Sequence, residues 1–245
     1  MLQEITQIVQ KEVWTLTKRQ HLSSDQLKRI IPCSLFLKAK LFPDGSFDKL
    51  KSRLVAGGHR QDVSLYDNIS SPTVNLTTVY MVLAISAFEG HDVSAIDVKG
   101  AYLNAKLKSI TVHMRIPPYL VSLLKTVYRQ LHQSMDISAF IEKDGSAIVK
   151  LEKALYGLVE SAKLWYEHLS ATLVKIGYLV SKHDQGLFYK RTSPGQTAYV
   201  CIHVDDILFS TNSRALKEEF NKHPENVYKD INVQSGTTIF YLDFN

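Results

Sequence analysis

Residues 201–210, CIHVDDILFS, constrain this 245-residue chain more than any other stretch. Apolar residues run into Asp205 and Asp206, and Ile207 to Phe209 lead out again. The pattern predicts two strands joined at the Asp pair. Two adjacent carboxylates inside an apolar, strand-forming run are costly, because buried charge needs a partner and like charges repel. A tight turn accounts for Asp-Asp in one way, since Asp favours turns. A divalent cation accounts for it in another. Mg²⁺ takes oxygen ligands and combines one or two carboxylates with substrate phosphates, which suits phosphoryl and nucleotidyl transfer.

The length allows one large domain or two small ones. With 45% hydrophobic and 22% charged residues the composition is that of a globular protein, and the formal charge of +5 favours a polyanionic partner. Cys33 and Cys201, the two cysteines, both lie in apolar runs and are expected as free, buried thiols in a reducing compartment. No apolar run reaches the ~18 residues of a membrane span, and the first residues lack a signal-peptide pattern. An intracellular protein with no membrane partner is expected, cytoplasmic or nuclear. The nine histidines show no zinc-ligand spacing, and no phosphate-binding glycine loop or nucleophile elbow is present.

Along the chain, residues 1–29 read as a polar, helix-prone segment anchored by Trp14 and Leu16. Ile30 to Lys40 is predicted as a strand, Pro43-Asp44-Gly45 as a turn, and Phe47 onward as the returning strand. This hairpin and its continuation carry Lys38, Lys40, Lys49, Lys51, Arg53, His59 and Arg60, a candidate grip for phosphates or a solvated edge. Leu76 to Glu89 shows a helical stripe stopped by Gly90, and His91 to Val98 a strand with Asp97 near its end. Thr111 to Ile116 reads as a strand, and Tyr119 to Leu131 as a helix. Ala147 to Leu151 reads as the second strand of a hairpin turning at Glu142–Gly145. A helix is expected over Lys153 to Ile176, ended by Gly177, with Trp165 in the core. Leu187 to Lys190 and Ala198 to His203 pair across Ser193-Pro194-Gly195; a charged helix over Ser213 to Lys222 and a strand from Thr238 to Phe244 complete the reading. His91-Asp92 and His183-Asp184 read as polar pairs at turns and strand ends. The irregular, hairpin-rich alternation indicates α+β rather than a doubly wound sheet.

A strand ending in Asp97 and a hairpin turning through Asp205 and Asp206 could bring three carboxylates to one sheet edge, as two-metal nucleotidyl transfer requires. Five stretches then appear in order: KSRLVAGGHRQD, SPTV, IDVKGAYLNA, KALYGLVESAKLWYEHL and HVDDILFS. Together they resemble the ordered motifs of the reverse transcriptases of copia-type LTR retrotransposons, from about Trp14 to Leu242.

The resemblance implies an RNA-directed DNA polymerase with Mg²⁺, or alternatively Mn²⁺, held by Asp97, Asp205 and Asp206 beside the carbonyl of Val98. Tyr102 matches the aromatic residue that lies against the sugar of the incoming nucleotide and excludes a 2′-hydroxyl. Tyr156 and Gly157 match the segment packed against nucleotide and template, and Lys51 and Arg53 the residues facing the triphosphate. His203 and Arg60 are assigned to primer and template. The implied fold is fingers and palm. A polar N-terminal segment (1–29) packs on the body, fingers take 30–75 and 107–151, and an antiparallel, helix-backed palm takes 76–106 and 152–245. The thumb is expected to be missing. Implied partners are an RNA template, a DNA primer, deoxynucleoside triphosphates and the RNase H and integrase parts of a Gag-Pol polyprotein, with virus-like particles as a location.

Several positions depart from the family pattern. His203 stands in place of Tyr, Ala162 in place of Pro, Val159-Glu160 in place of Lys-Gln, and Asp243 in place of Gly. The expected lack of a thumb keeps a second reading open, against which the intact triad argues: a truncated, decayed or repurposed module that binds nucleic acid without polymerising. A non-polymerase nuclease with the same carboxylates is a third reading, though it has no need of Tyr102 or the basic hairpin.

Overall fold

The computed structural model describes residues 1–41, 44–108, 110–131, 136–228, 231–236, 238–239 and 241–242, with side chains of 223–227 left out. Pro43 of the expected turn and residues 240, 243 and 244 of the expected terminal strand, Asp243 among them, therefore lie outside the described residues. The chain divides into two compact units, each assembled from two separate segments: 1–69 with 102–164, and 70–101 with 165–245.

The first unit begins with helix α1 (Leu2–Gln10), which buries Ile5, Ile8 and Val9, followed by strand β1 (Trp14–Thr17) and the short helix α2 (Ser24–Lys28). Trp14 and Leu16 anchor the segment as expected, but from a strand rather than a helix. Ser23 caps α2 in a capping box with Gln26, which fixes that helix start locally. The long hairpin of β2 (Ile31–Leu41) and β3 (Phe47–Ala56) follows. Later in the chain come β5 (His113–Ile116), α4 (Pro118–Leu131) and β6 (Ala147–Leu151). The sheet order is β1-β6-β5-β2-β3. Among the described residues β2 and β5 run parallel and the other pairs of this sheet antiparallel. The Glu142–Gly145 turn forms, yet β6 pairs with β1 and β5, and the expected hairpin reduces to a bridge between Ile141 and Ala147. Side chains of α1, α4 and the sheet make one apolar core around Ile8, Leu54, Met114, Leu124 and Val149.

The second unit opens with α3 (Leu76–Glu89), ended by Gly90 in the left-handed conformation, and β4 (Asp92–Val98). Helix α5 (Ser161–Lys175) begins eight residues later than the spacing of apolar residues suggested, because Ala154 bonds to Ala105 and Gly157 turns at φ +91°. Then come β7 (Leu179–Val180), β8 (Leu187–Arg191), β9 (Thr197–His203), β10 (Asp206–Thr211), α6 (Arg214–Val227) and β11 (Ile231–Ser235). These strands form a six-stranded, wholly antiparallel sheet in the order β11-β4-β10-β9-β8-β7. Strand β11 was not anticipated from the sequence. Val79 and Val82 of α3 pack on Cys201 and Leu208. Beside them, His91 is tied to Ser210 (2.9 Å) and Glu89 (3.0 Å), more than a turn-end pair. Phe209 stacks on Phe220 of α6 with centroids 4.1 Å apart. The mixed α+β class and the antiparallel sheet agree with expectation.

Candidate active site

Strand β4 is apolar and buried over Ala95 and Ile96, and its end carries Asp97. In the antiparallel register Asp97 faces Asp206 at the start of β10, Asp206 faces His203 at the end of β9, and Asn232 of β11 faces Asp97 from the other side. Directly opposed residues project from the same face of a sheet. Asn232, Asp97, Asp206 and His203 therefore form a polar row across four strands. Two like charges in direct opposition are destabilising in a sheet. Their pairing at the rim of an otherwise apolar sheet is the strongest signal of chemistry in the unit.

Val204 and Asp205 are the two residues of the turn between β9 and β10. Val204 has φ +57°, whereas Asp205 is not among the residues of positive φ. Positive φ at the first loop residue alone marks a type II′ hairpin turn. A β-branched residue in that region is strained, by about 1–3 kcal/mol. Two hydrogen bonds hold the turn: the Trp165 indole Nε1–H donates to the Val204 carbonyl (2.6 Å), and the Val98 amide donates to the Asp205 carbonyl (3.5 Å). Trp165 is buried, as expected, and its ring meets Tyr228 edge-on at 5.3 Å. Its tie to the turn was not legible in the sequence.

Among the described residues, no group of three His, Cys, Asp or Glu side chains is drawn together closely enough to hold a metal ion unaided. The donor chemistry nonetheless fits a hard cation. Two facing carboxylates and a third on the adjoining turn supply oxygen ligands, and Mg²⁺ ordinarily completes its shell with water and substrate phosphates. All three aspartates are half-buried, so water and a ligand can reach them.

Within this row, the buried Nδ1 of His203 has no hydrogen-bond partner among the described residues. Tyr241 donates to the carbonyl of Cys201 (3.4 Å), and its hydroxyl pKa is raised by burial first, then by Cys201 and the negative charge of Asp206. Asp184, expected as a strand-end residue, is a buried acceptor for four donors. Its Oδ2 takes bonds from the Asn75 amide (2.9 Å), Asn75 Nδ2 (3.1 Å) and Thr78 Oγ1 (2.6 Å), and its Oδ1 from the Gly186 amide (2.9 Å). Burial alone would raise the Asp184 pKa, but these bonds outweigh it and leave it lowered. The carboxylate thus locks the start of α3, and the Val74 amide beside it donates to Ile202 on the strand that leads to His203.

In the first unit, three residues taken from three separate stretches come together. The Arg53 guanidinium lies over the Tyr156 ring at 4.0 Å, and the Tyr156 ring lies 4.8 Å from that of Tyr102. Gly157, at φ +91°, leaves no room for a Cβ against the Ala56 carbonyl, so the close backbone approach it permits is to β3 of its own chain. The Tyr156 carbonyl accepts from the Ala56 amide (2.7 Å). Of the departures, Val159 donates through its amide to Gln61 Oε1 (3.0 Å), and Glu160 is buried. Arg60 is exposed in a short 3-10 turn after β3.

Strand register also sorts the β2–β3 hairpin. Lys38 faces Lys51, Lys40 faces Lys49 and Phe36 faces Arg53, all on one side; Leu37 with Ser52 and Ala39 with Leu50 occupy the other. Like charges placed opposite one another cost stability. Five cations on one ribbon face therefore form a surface suited to phosphates.

The second unit thus offers a carboxylate row whose donors fit a hard cation, and the first a basic ribbon. The chain matches the family model described as reverse transcriptase (RNA-dependent DNA polymerase) over residues 12–135 and 122–241, and it belongs to that family. It is similar to the retrovirus-related Pol polyprotein from transposon RE1 of Arabidopsis thaliana, 31% identical over 76% of this chain. It is also similar to that from transposon TNT 1-94 of Nicotiana tabacum (24% over 87%) and to the Ty1-BL Gag-Pol polyprotein of Saccharomyces cerevisiae (25% over 89%). These relatives are polyproteins of copia-type transposons. The chain spans 11%, 15% and 11% of their respective lengths. Among solved structures, apo telomerase from Candida tropicalis aligns with 98% of this chain and 57% of its own, at 8% identity and a TM-score of 0.42, a likeness too slight to carry an argument. No helix among the described residues is long and apolar enough to cross a membrane.

Proposed function

We propose that this chain is the polymerising part of a copia-type Pol polyprotein, adding deoxynucleotides to the 3′-end of a primer along an RNA template. The observation that carries the reading is the direct opposition of Asp97 and Asp206, with Asp205 on the turn beside them. Mg²⁺, or Mn²⁺ in its place, would be held by these three carboxylates and the Val98 carbonyl, and when bound it would acidify the primer hydroxyl and offset charge developing on the phosphates. The aspartates and the tied turn supply fixed oxygen donors that need little rearrangement when substrate arrives. His203, at the end of the polar row, is assigned to the primer end, and Arg60 to the template strand.

In the first unit Lys51 and Arg53 are assigned to the triphosphate, where fixed positive charge meets charge that grows during transfer. Tyr102 is assigned to the sugar, as the ring that excludes a 2′-hydroxyl, and Tyr156 with Gly157 to the floor beneath the nucleotide. The stack of Arg53 on Tyr156 and of Tyr156 on Tyr102 supports treating the three as one nucleotide surface. The fingers assignment of 30–75 and 107–151 and the palm assignment of 76–106 and 152–245 belong to the same proposal. So do RNase H and integrase as companions in the polyprotein.

Primer extension on an RNA template with deoxynucleotides and Mg²⁺, run beside Asp205→Asn, tests the reading. Extension that disappears in the variant supports it; extension that survives overturns the assigned site. Tight, Mg²⁺-independent binding of primer–template with no extension by either protein would instead favour a repurposed nucleic-acid-binding module.

A further inference from the structure

We infer that Trp165 is a positioning residue: its indole N–H fixes the central peptide of the Val204–Asp205 turn and thereby the backbone that presents Asp205 and Asp206. The inference rests on the site proposed above. Its argument starts from the turn itself. In a two-residue hairpin loop the peptide between the two loop residues can lie in either of two orientations, related by a flip of about 180°. One orientation gives type II′, with positive φ at the first residue alone; the other gives type I′, with positive φ at both. Val204 is at φ +57° and Asp205 is not positive, so the turn is in the first state. The Val204 oxygen reports the orientation of the central peptide, and it accepts from Trp165 Nε1 at 2.6 Å. A flip would break this bond and force Asp205 into the left-handed region.

The choice is not decided by local sequence. Type II′ prefers Gly at its first loop position and type I′ prefers Asn-Gly or Asp-Gly, so Val-Asp suits neither. A β-branched residue held at positive φ persists only when its surroundings over-determine it. Here the surroundings are named. Trp165 is 1% exposed, wedged against Tyr228, itself 2% exposed, with ring centroids 5.3 Å apart. An indole N–H in such a place needs a partner, and a bond made away from water is stiff. On the following peptide the Val98 amide donates to the Asp205 carbonyl at the longer distance of 3.5 Å. The Trp165 bond therefore acts on the peptide between Val204 and Asp205 itself, whereas the Val98 bond acts on the next one.

The test uses Trp165→Phe, which keeps an aromatic ring but has no donor, in the full chain. Hydrogen exchange is followed by mass spectrometry over residues 203–211 and, as a control, over the rest of α5. The expected result is exchange in the turn peptide faster by roughly 2- to 10-fold, the range that one ordinary hydrogen bond is worth, with α5 and the melting temperature little changed. Extension should lose a similar factor in kcat with KM for the nucleotide nearly constant. Val204→Gly supplies the second arm. Glycine holds type II′ unaided, so Trp165→Phe placed in that background should cost markedly less than it does alone. Unchanged exchange in the turn, or equal losses in both backgrounds, would overturn the proposal and leave Trp165 a packing residue. Exchange is read without substrate, so a wild-type chain that extends no primer overturns the polymerase reading and leaves this test decisive.

Discussion

The guanidinium of Arg53 lies 4.0 Å from the centre of the Tyr156 ring, and that ring lies 4.8 Å from Tyr102. Arg53 comes from the basic hairpin, Tyr156 from the segment before α5 and Tyr102 from the turn after β4. The ring of Tyr156 is thus the common neighbour of a cation and of the residue assigned to the sugar.

Removing that ring should disturb both neighbours at once. A cation–π contact is worth about 0.5–2 kcal/mol, which corresponds to roughly 2- to 30-fold in affinity. Tyr156→Leu is expected to raise KM for deoxynucleoside triphosphates within that range and to weaken discrimination against ribonucleotides; Tyr156→Phe should do neither. Steady-state extension with each nucleotide class checks it. Unchanged constants in the leucine variant would show that the stack has no part in nucleotide handling.

Asp184 should make the second unit sensitive to acid. Its carboxyl is lowered in the folded chain relative to the ordinary value of about 3.9. A depressed carboxylate contributes stability that is fully present above the unfolded pKa and is lost as pH falls through the folded one. Asp184→Asn is therefore expected to cost about 1.5–3 kcal/mol near pH 7, the usual worth of bonds to a charged acceptor, and progressively less below about pH 4. Urea unfolding at both pH values measures the difference. A cost independent of pH would rule out the ionised form as the source.

Gly157→Ala combines two penalties. Left-handed backbone costs a side chain about 1–3 kcal/mol, and the new methyl would collide with the Ala56 carbonyl, which is backbone and cannot swing aside. The variant should unfold at clearly lower urea concentration. A melting curve identical to wild type would mean that the 154–158 segment is free to move off β3.

Both thiols should be silent in the native chain. Burial pushes Cys33 and Cys201 up to about 12, the latter aided by the charge of Asp184. Titration with a disulfide reagent near pH 8 should find no fast-reacting thiol before denaturation and both afterwards. Rapid labelling of the folded protein would contradict their placement in the two cores.

Much of this was legible because local signals agreed with the final fold. Gly90 and Gly177 end helices where they stand, β2 pairs with β3, and β8 pairs with β9 as the sequence pattern predicts. The positions of Asp97 near the end of β4 and of Asp205 and Asp206 at the turn into β10 were legible as well, because apolar runs flank them. Other features depend on pairings between distant stretches, which leave no periodic trace. Asn232 faces Asp97 only because β11 adds to the edge of β4. The eight residues before α5 share its apolar spacing, and only their contacts with Ala105 and β3 draw them out of a helix. Asp184 looked like any strand-end acid because its donors Asn75 and Thr78 lie on another element. Trp165 was correctly read as core, but burial alone does not say where an indole N–H points.

The interleaving of the two units has a consequence for biosynthesis. The strand that bears Asp97 has β10 on one side and β11 on the other, and both are translated long after it. Until the ribosome has released β10, that strand has neither neighbour and presents two bare edges, the form most prone to pairing with the wrong chain. Meeting Asp206 is therefore a late event in the life of the nascent polypeptide. A chain interrupted before it would carry an aspartate with no facing carboxylate, the pairing across β4 and β10 left unmade.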